Sequence, residues 1–326
     1  MLSVKSLLKS AAFGVAALGM TASAALAADV TLKLGHLANE NDVWHKASLK
    51  LAEIVKERTD GRIEIQVFAN ESLGKEIDLI NGMQLGTVDF AVTGESLQNW
   101  APKAALLAVP YAYKSIEHMA EVANSEIGAE IEKEIVEKAR VRPLTVMVRG
   151  PRHLTTNRPI KSPDDLNGLM LRVPNVPLFV NVWRELGASP MPMAFSEVFT
   201  ALQNGTLDAQ ENPLALISSA SFNEVQKYVN QTAHVNGWIY IVMSEMTYQR
   251  LSPEDQKILV EAGKEAEAYH RALFEAEEEA FAKSLQEKGM EFVEVDYSAF
   301  AEKARGAVLA SVSDDIRPIV EDLFAK

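Results

Sequence analysis

Arginines carry the most specific chemistry in this sequence. Arg149-Gly150-Pro151-Arg152-His153 follows an alternating run, and Arg172 sits inside another, on the face opposite Leu171 and Val173. An arginine in a covered strand needs a partner. Its planar fork of donors matches a carboxylate through two parallel hydrogen bonds. Two readings fit the local chemistry of Arg172 equally: an ion pair with one of the chain's own acids, or a receptor for a carboxylate ligand. His36 is a further candidate. It ends the first predicted strand, and ligands of open α/β sheets bind at the carboxyl ends of strands. The other histidines, His45, His118, His153, His234 and His270, show no metal-ligand spacing, so no metal is expected. The absence of cysteine excludes a disulfide framework, a thiolate zinc site and a cysteine nucleophile. No G-x-S-x-G, H-E-x-x-H, phosphate-binding or dinucleotide-binding glycine motif and no EF-hand loop occurs. No cofactor and no enzymatic activity are expected. The 45 acidic against 32 basic side chains, a net charge of −13, argue against nucleic acid as a partner.

The elements that must position these groups follow from periodicity. Val30, Leu32 and Leu34 alternate with polar residues as a strand ending at Gly35-His36. Trp44, Ala47, Leu51, Ile54 and Val55 form a helical stripe from about Asp42, and Gly61 suits the position past its end. Ile63, Ile65 and Val67 alternate again. Strand, helix, strand with short links predicts a right-handed βαβ unit and a parallel sheet. A helix from Lys75 to Leu85 and a strand from Val88 to Val92 continue the series.

The same order restarts past the middle. It runs through a strand over Leu144, Val146 and Val148, a helix start at Ser162-Pro163-Asp164-Asp165, and a strand over Leu171-Arg172-Val173. Helices follow from Leu178 to Leu186 and from Ser196 to Gln203. Gln84-Leu85-Gly86-Thr87-Val88-Asp89 is echoed by Gln203-Asn204-Gly205-Thr206-Leu207-Asp208. That echo fits either two lobes on one plan or recurrent helix-stop chemistry. Ser252-Pro253-Glu254-Asp255 caps a long helix reaching towards Gly289, with Ile258, Ala262, Ala266, Tyr269, Leu273, Ala276 and Ala280 as its apolar stripe. At 1.5 Å per residue it is roughly 50 Å long, enough to lie across two lobes.

Residues 1–27 read as an export signal. Lys5 and Lys9 precede an apolar run from about Ala11 to Met20, and Ala25-Leu26-Ala27 forms a cleavage site before Ala28. The run is shorter than the ~20 residues of a membrane span. The chain is therefore expected in the periplasm, cleaved after Ala27 and not itself membrane-spanning.

Several longer segments carry a family likeness. They are Gly168-Leu169-Met170-Leu171-Arg172-Val173-Pro174, the run from Gly187 to Val198, Gly205-Thr206-Leu207-Asp208-Ala209-Gln210-Glu211-Asn212-Pro213, Ser72-Leu73-Gly74 and Gln84 to Asp89. In these the chain resembles the extracytoplasmic solute-binding subunit of tripartite ATP-independent periplasmic (TRAP) transporters, the DctP-type family. The resemblance spans essentially the whole mature chain, in order. It implies a two-lobed α/β periplasmic binding protein fold with the long C-terminal helix spanning both lobes. Lobe I would cover 28–149 plus 237–277, and lobe II 150–236 plus 278–326.

The resemblance also implies an organic-acid ligand. Arg172 would pair with its carboxylate, Arg152 would be a second arginine, and Asn212 would offer an amide. Asn175 and Phe195 match further contacts, and Glu76 and Glu95 match polar contacts from the first lobe. Where the sialic-acid branch has Met-Asn, this chain has His36-Leu37. The stretch from His36 to Lys46, with Thr93 to Trp100, is similar to members that take sugar acids, especially hexuronates such as D-glucuronate or D-galacturonate. His36, Glu40, Glu76, Glu95, Asn175 and Asn212 would serve the hydroxyls of such a ligand. The implied partners are the small and large TRAP membrane subunits, with the binding protein itself a monomer. The same fold taking a C4-dicarboxylate is the alternative, favoured if Arg149 also faces the cleft. An exported sugar-acid enzyme ranks third.

Overall fold

The computed structural model describes residues 28–325, and the predicted export signal lies outside them. The opening series is as expected: β1 (Val30–Gly35), α1 (Val43–Arg58), β2 (Ile63–Phe68), α2 (Glu76–Leu85) and β3 (Phe90–Thr93). β1 lies between β2 and β3, parallel to both, with Leu32 opposite Ile65 and Leu34 opposite Phe90. After α3 (Ile116–Ala123), α4 (Glu126–Glu134) and β4 (Val141–Pro143) comes the long β5 (Met147–Thr156). The second series is β6 (Met170–Val173), α5 (Pro177–Leu186), β7 (Ser189–Pro192), α6 (Phe195–Gln203), β8 (Ala209–Pro213) and α7 (Leu214–Ser219). The chain closes with β9 (Tyr228–Ser244), α8 (Glu245–Arg250), α9 (Pro253–Glu287), β10 (Glu291–Val293), α10 (Tyr297–Ser311) and α11 (Arg317–Ala325).

The strand order β2-β1-β3-β9-β5-β8-β6-β7 explains the two lobes. A parallel trio stands at each end, and the antiparallel pair β5 and β9 runs between them. Met147, Val148 and Arg149 pair with Ile239, Trp238 and Gly237; the register then breaks between Arg149 and Arg152. Extra residues in one strand bend the ladder, so the shared pair changes direction at this point. Gly237 is required there, because a Cβ would lie 2.5 Å from the Leu107 carbonyl oxygen.

The sequence echo marks equivalent places in the two trios. α2 stops at Gly86 (φ 74°) and α6 is followed by Gly205 (φ 70°), both left-handed. Asp89 Oδ2 then accepts from Lys33 N at 2.9 Å while Asp89 N donates to Lys33 O. Asp208 does the same with Met170 N and O, again at 2.9 Å to Oδ2. In each case the aspartate ties the end of the helix–strand link to the central strand of its trio.

Two expectations need correction. The start at Ser162 makes a reciprocal cap with Asp165 but yields only one 3-10 turn, Pro163–Leu166, because the chain turns at Gly168 (φ 77°) into β6. The long helix exists as α9, but its buried stripe is Leu259, Ala262, Ala266, His270 and Phe274, while Tyr269 is 39% exposed. Gly263 sets this rotation: it packs directly on the Leu144 carbonyl, where any Cβ would collide. Leu259, Ala262 and Ala266 share one apolar cluster with Ala47, Leu51 and Val55 of α1; Leu285 joins another with Val198 and Leu202 of α6. The helix therefore packs on both lobes.

Candidate ligand-binding site

A cavity of 570 Å³ lies between the lobes, at the carboxyl ends of the parallel strands. β5 delivers Arg149 and Arg152, β6 delivers Arg172, and β8 delivers Asn212. Asn175 follows β6, Phe195 opens α6, Glu76 opens α2, and Glu95 follows β3. All eight line the cavity, joined by Trp44, Thr93, Asn99 and Trp100.

The arginines divide by partner. Arg152 Nε lies 2.5 Å from Glu211 Oε2 and its Nη2 2.7 Å from Oε1, a two-pronged pair with a carboxylate that has no exposed surface. His234 Nε2 reaches the same Oε2 at 2.8 Å, and Thr232 Oγ1 is 2.8 Å from the other ring nitrogen. Burial opposes the charge on Glu211, yet Arg152 and His234 hold its carboxyl down at about 2. Arg149 Nη2 donates to Glu95 Oε2 at 2.5 Å, and Arg152 Nη1 is 3.7 Å from Glu95 Oε1. Burial would raise the Glu95 carboxyl, but Arg149 and Arg152 hold it below the usual range.

Arg172 is different. It is 4% exposed, and its Nε and Nη2 donate to the Met193 carbonyl at 2.9 and 2.7 Å. Among the described residues no carboxylate lies within 4.0 Å of it. Burial pushes its guanidinium down to about 10, against the attraction of Glu211. A guanidinium has five N–H donors. Two are spent on Met193, so the edge formed by Nη1 and the rest of Nη2 is open. Phe195 covers one side, with its ring centre 5.8 Å from the guanidinium carbon.

Acceptors and donors complete the walls. Glu76 accepts from Thr93 Oγ1 at 2.6 Å; burial raises its carboxyl, and the Thr93 hydroxyl opposes that. Asn212 is 2% exposed and donates to Gln210 Oε1 at 2.6 Å, leaving its carbonyl oxygen available. Asn175 sits at the rim, its backbone carbonyl accepting from Asn99 Nδ2 at 2.9 Å.

The structure does not bring His36 to the cavity. Its ring is fully buried, and Nε2 lies 3.0 Å from His45 Nδ1 in α1. Burial, then the neighbouring His45, pushes it down to about 4, so it stays neutral. The strand end is where the sequence suggested, but its neighbour Leu37, not His36, lines the cleft. Two residues missed from sequence are Glu211, which holds Arg152, and His234, which holds Glu211. The signal for Glu211 was partial: the sequence shows an acid beside Asn212, but its pairing with Arg152 comes from the β5–β8 ladder.

The sequence matches DctP, bacterial extracellular solute-binding protein family 7, over residues 34–314. A crystal structure of a TRAP periplasmic solute-binding protein from Roseobacter denitrificans, holding L-galactonate, superposes with a TM-score of 0.90 at 63% identity over 91% of this chain and 99% of that one. Another from Sulfitobacter sp. NAS-14.1, holding β-D-galacturonate, gives 0.86 at 30% identity over 90% and 99%. The 2,3-diketo-L-gulonate-binding periplasmic protein of Escherichia coli is 31% identical over 96% of this chain and 92% of its own length. Among the described residues no helix is long and apolar enough to cross a membrane. A two-lobed sheet, a polar cleft at its strand ends and a match over nearly the whole described chain agree: this chain belongs to the DctP family of TRAP solute-binding proteins, which bind rather than transform their solutes.

Proposed function

We propose that the cleft captures a six-carbon sugar acid and delivers it to the TRAP membrane subunits. The chain would act in the periplasm after cleavage behind Ala27. The observation that carries this reading is the open edge of Arg172, a buried cation with no carboxylate of the described chain within 4.0 Å. A ligand carboxylate satisfies it in two parallel hydrogen bonds. Arg149 and Arg152 do line the cleft, but both already hold chain carboxylates. Among the three arginines of the cleft, Arg172 alone has no carboxylate of the described chain within 4.0 Å, which favours a monocarboxylate over a C4-dicarboxylate. Glu76 and Asn212 offer acceptors for hydroxyls, and Trp44 and Trp100 offer apolar faces for the carbon skeleton.

L-Galactonate is the first candidate, because a protein 63% identical holds it. D-Galacturonate and D-glucuronate come next, since relatives at lower identity hold those acids. Either kind of acid has about 13 non-hydrogen atoms. Micromolar binding, about −8.2 kcal/mol, asks for ~0.6 kcal/mol per atom, well under the ceiling for small ligands.

The lobes would divide as 28–149 plus 237–277 and 150–236 plus 278–326, crossing at the break between Arg149 and Arg152. Glu76 and Glu95 then face Arg172 and Asn212 across the cleft, so a ligand touching both sides favours the closed arrangement. A thermal-shift and calorimetric screen tests the reading with L-galactonate, D-galacturonate, D-glucuronate, succinate and malate. Stabilisation by the sugar acids is expected. Stabilisation by succinate or malate alone would overturn the ligand class.

A further inference from the structure

Glu71 and Lys75 line the mouth of the cleft and reach across it to α6. α6 begins at Phe195 after Ala194, a residue that cannot cap a helix with its side chain. The missing acceptor comes from the opposite lobe: Ser196 N donates to Glu71 Oε2 at 3.1 Å. One turn further along the same loop, Lys75 pairs with Glu197 in the first turn of α6. A carboxylate at a helix N-terminus is also favoured by the helix dipole.

The loop is built to hold Glu71 there. Asn70 and Glu71 are both left-handed, at φ 57° and 54°, a conformation uncommon for side-chain-bearing residues. Backbone bonds to β1's exit keep them so: Asn70 N donates to Ala38 O at 2.9 Å, and Glu71 N donates to His36 O at 3.0 Å. Strain of this kind persists only where the surroundings over-determine it. The clasped turn is also the one that fixes the anchor. Met193 supplies the carbonyl that orients Arg172, and Phe195 covers the same guanidinium.

We propose that Glu71 and Lys75 clasp the first turn of α6 across the cleft, and that Glu71, by capping α6 from the other lobe, sets how long a ligand is retained. Glu71 is then a positioning residue, acting through α6 and the 193–195 segment on Arg172. The inference rests on the cleft being a sugar-acid site.

Stopped-flow fluorescence tests it on the mature chain, with Trp44 and Trp100 in the cleft as reporters and L-galactonate and D-galacturonate as probes. The wild type is measured first. If it binds neither probe, the cleft reading and the clasp fall together. If it binds, Glu71→Ala is expected to dissociate about 5-fold faster with little change in association, the size of one lost helix cap. Glu71→Gln, which keeps an acceptor, should recover most of that retention. Glu197→Gln removes the partner of Lys75 from an exposed position that does not line the cavity, and should speed dissociation about 2-fold. Unliganded melting curves verify that each variant is folded. Unchanged dissociation in Glu71→Ala, with wild-type binding intact, overturns the clasp alone, whatever Glu197→Gln does. A loss confined to association overturns it as well.

Discussion

Arg172 and Arg152 sit in the same cleft and are expected to fail in opposite ways when removed. Arg172→Ala takes away a guanidinium that makes two hydrogen bonds to one carbonyl and, among the described residues, faces no carboxylate within 4.0 Å. Burial already opposes its charge, so the unliganded protein should lose no more than about 1 kcal/mol, a typical point-mutant cost. The ligand carboxylate, by contrast, is left buried and unmatched, which costs about 2–5 kcal/mol of binding. At 1.4 kcal/mol per decade, that is about 30-fold to about 4,000-fold in Kd.

At a ligand concentration 100 times the wild-type Kd, the wild type gains ~2.7 kcal/mol and the variant at most ~0.9 kcal/mol. With roughly 2–4 °C per kcal/mol for a chain of this class, a shift of about 5–11 °C collapses to under about 4 °C. Arg152→Ala instead strands Glu211, which has no exposed surface, and should cost about 3–5 kcal/mol before any ligand is added. Paired melting curves with and without L-galactonate, backed by calorimetry, read both effects. Unchanged affinity in Arg172→Ala would refute the anchor, and a wild-type melting temperature in Arg152→Ala would refute the ion-pair argument.

Arg172→Lys should restore little of the affinity, because a point charge replaces the fork and abandons the Met193 carbonyl; calorimetry reads this directly. Asn212→Asp should weaken binding about 10-fold or more by setting a second carboxylate beside the ligand's, and it should also lower the melting temperature, because a buried carboxylate cannot donate to Gln210 Oε1. Gly237→Ala drives a Cβ to 2.5 Å from the Leu107 carbonyl at the lobe junction, and denaturant unfolding should show a loss of about 1–3 kcal/mol. Stability should fall on acidification. Burial lowers His36, His153 and His270 to about 4, 3 and 4, so below the ordinary value of 6.5 the unfolded chain takes up protons the folded one refuses. Their contribution is complete above pH 6.5 and lost as pH falls towards 4 and 3. Burial raises Asp42 to about 6, which acts the opposite way between about 6 and 3.8 and offsets part of one histidine. Melting at pH 7.5, 6 and 5 reads the slope, and His270→Phe should flatten it.

The local elements were legible because their signals are local. The alternation of Val30, Leu32 and Leu34, the stripe of α1 and the glycine stops at Gly86 and Gly205 each depend on a few neighbouring residues. The echo around Asp89 and Asp208 was visible as letters; only the structure gave it a physical cause, the paired bonds to Lys33 and Met170. α9 was legible as a helix but not in its rotation. Its face is chosen by the close approach of Gly263 to Leu144, 119 residues earlier in the chain, and periodicity carries no trace of a contact that remote.

The candidate site divides along the same line. Family motifs and strand position brought Arg172, Arg152, Asn212, Asn175, Phe195, Glu76, Glu95 and Arg149 forward, and all eight line one cavity. His36 failed because a side chain at a strand end can turn either way, and the neighbouring His45 took it. Residue types and spacing determined that this chain carries arginines suited to a carboxylate, on strands of an α/β protein. They left open which arginines pair with acids of the chain. Tertiary structure decided that: Glu95 lies 54 residues before Arg149 and Glu211 lies 59 after Arg152, and only the order β3-β9-β5-β8 brings them within bonding distance. Arg172 is left with a carbonyl and an open edge, because a buried charge is answered by whatever the fold places beside it, and among the described residues no carboxylate comes within 4.0 Å of it.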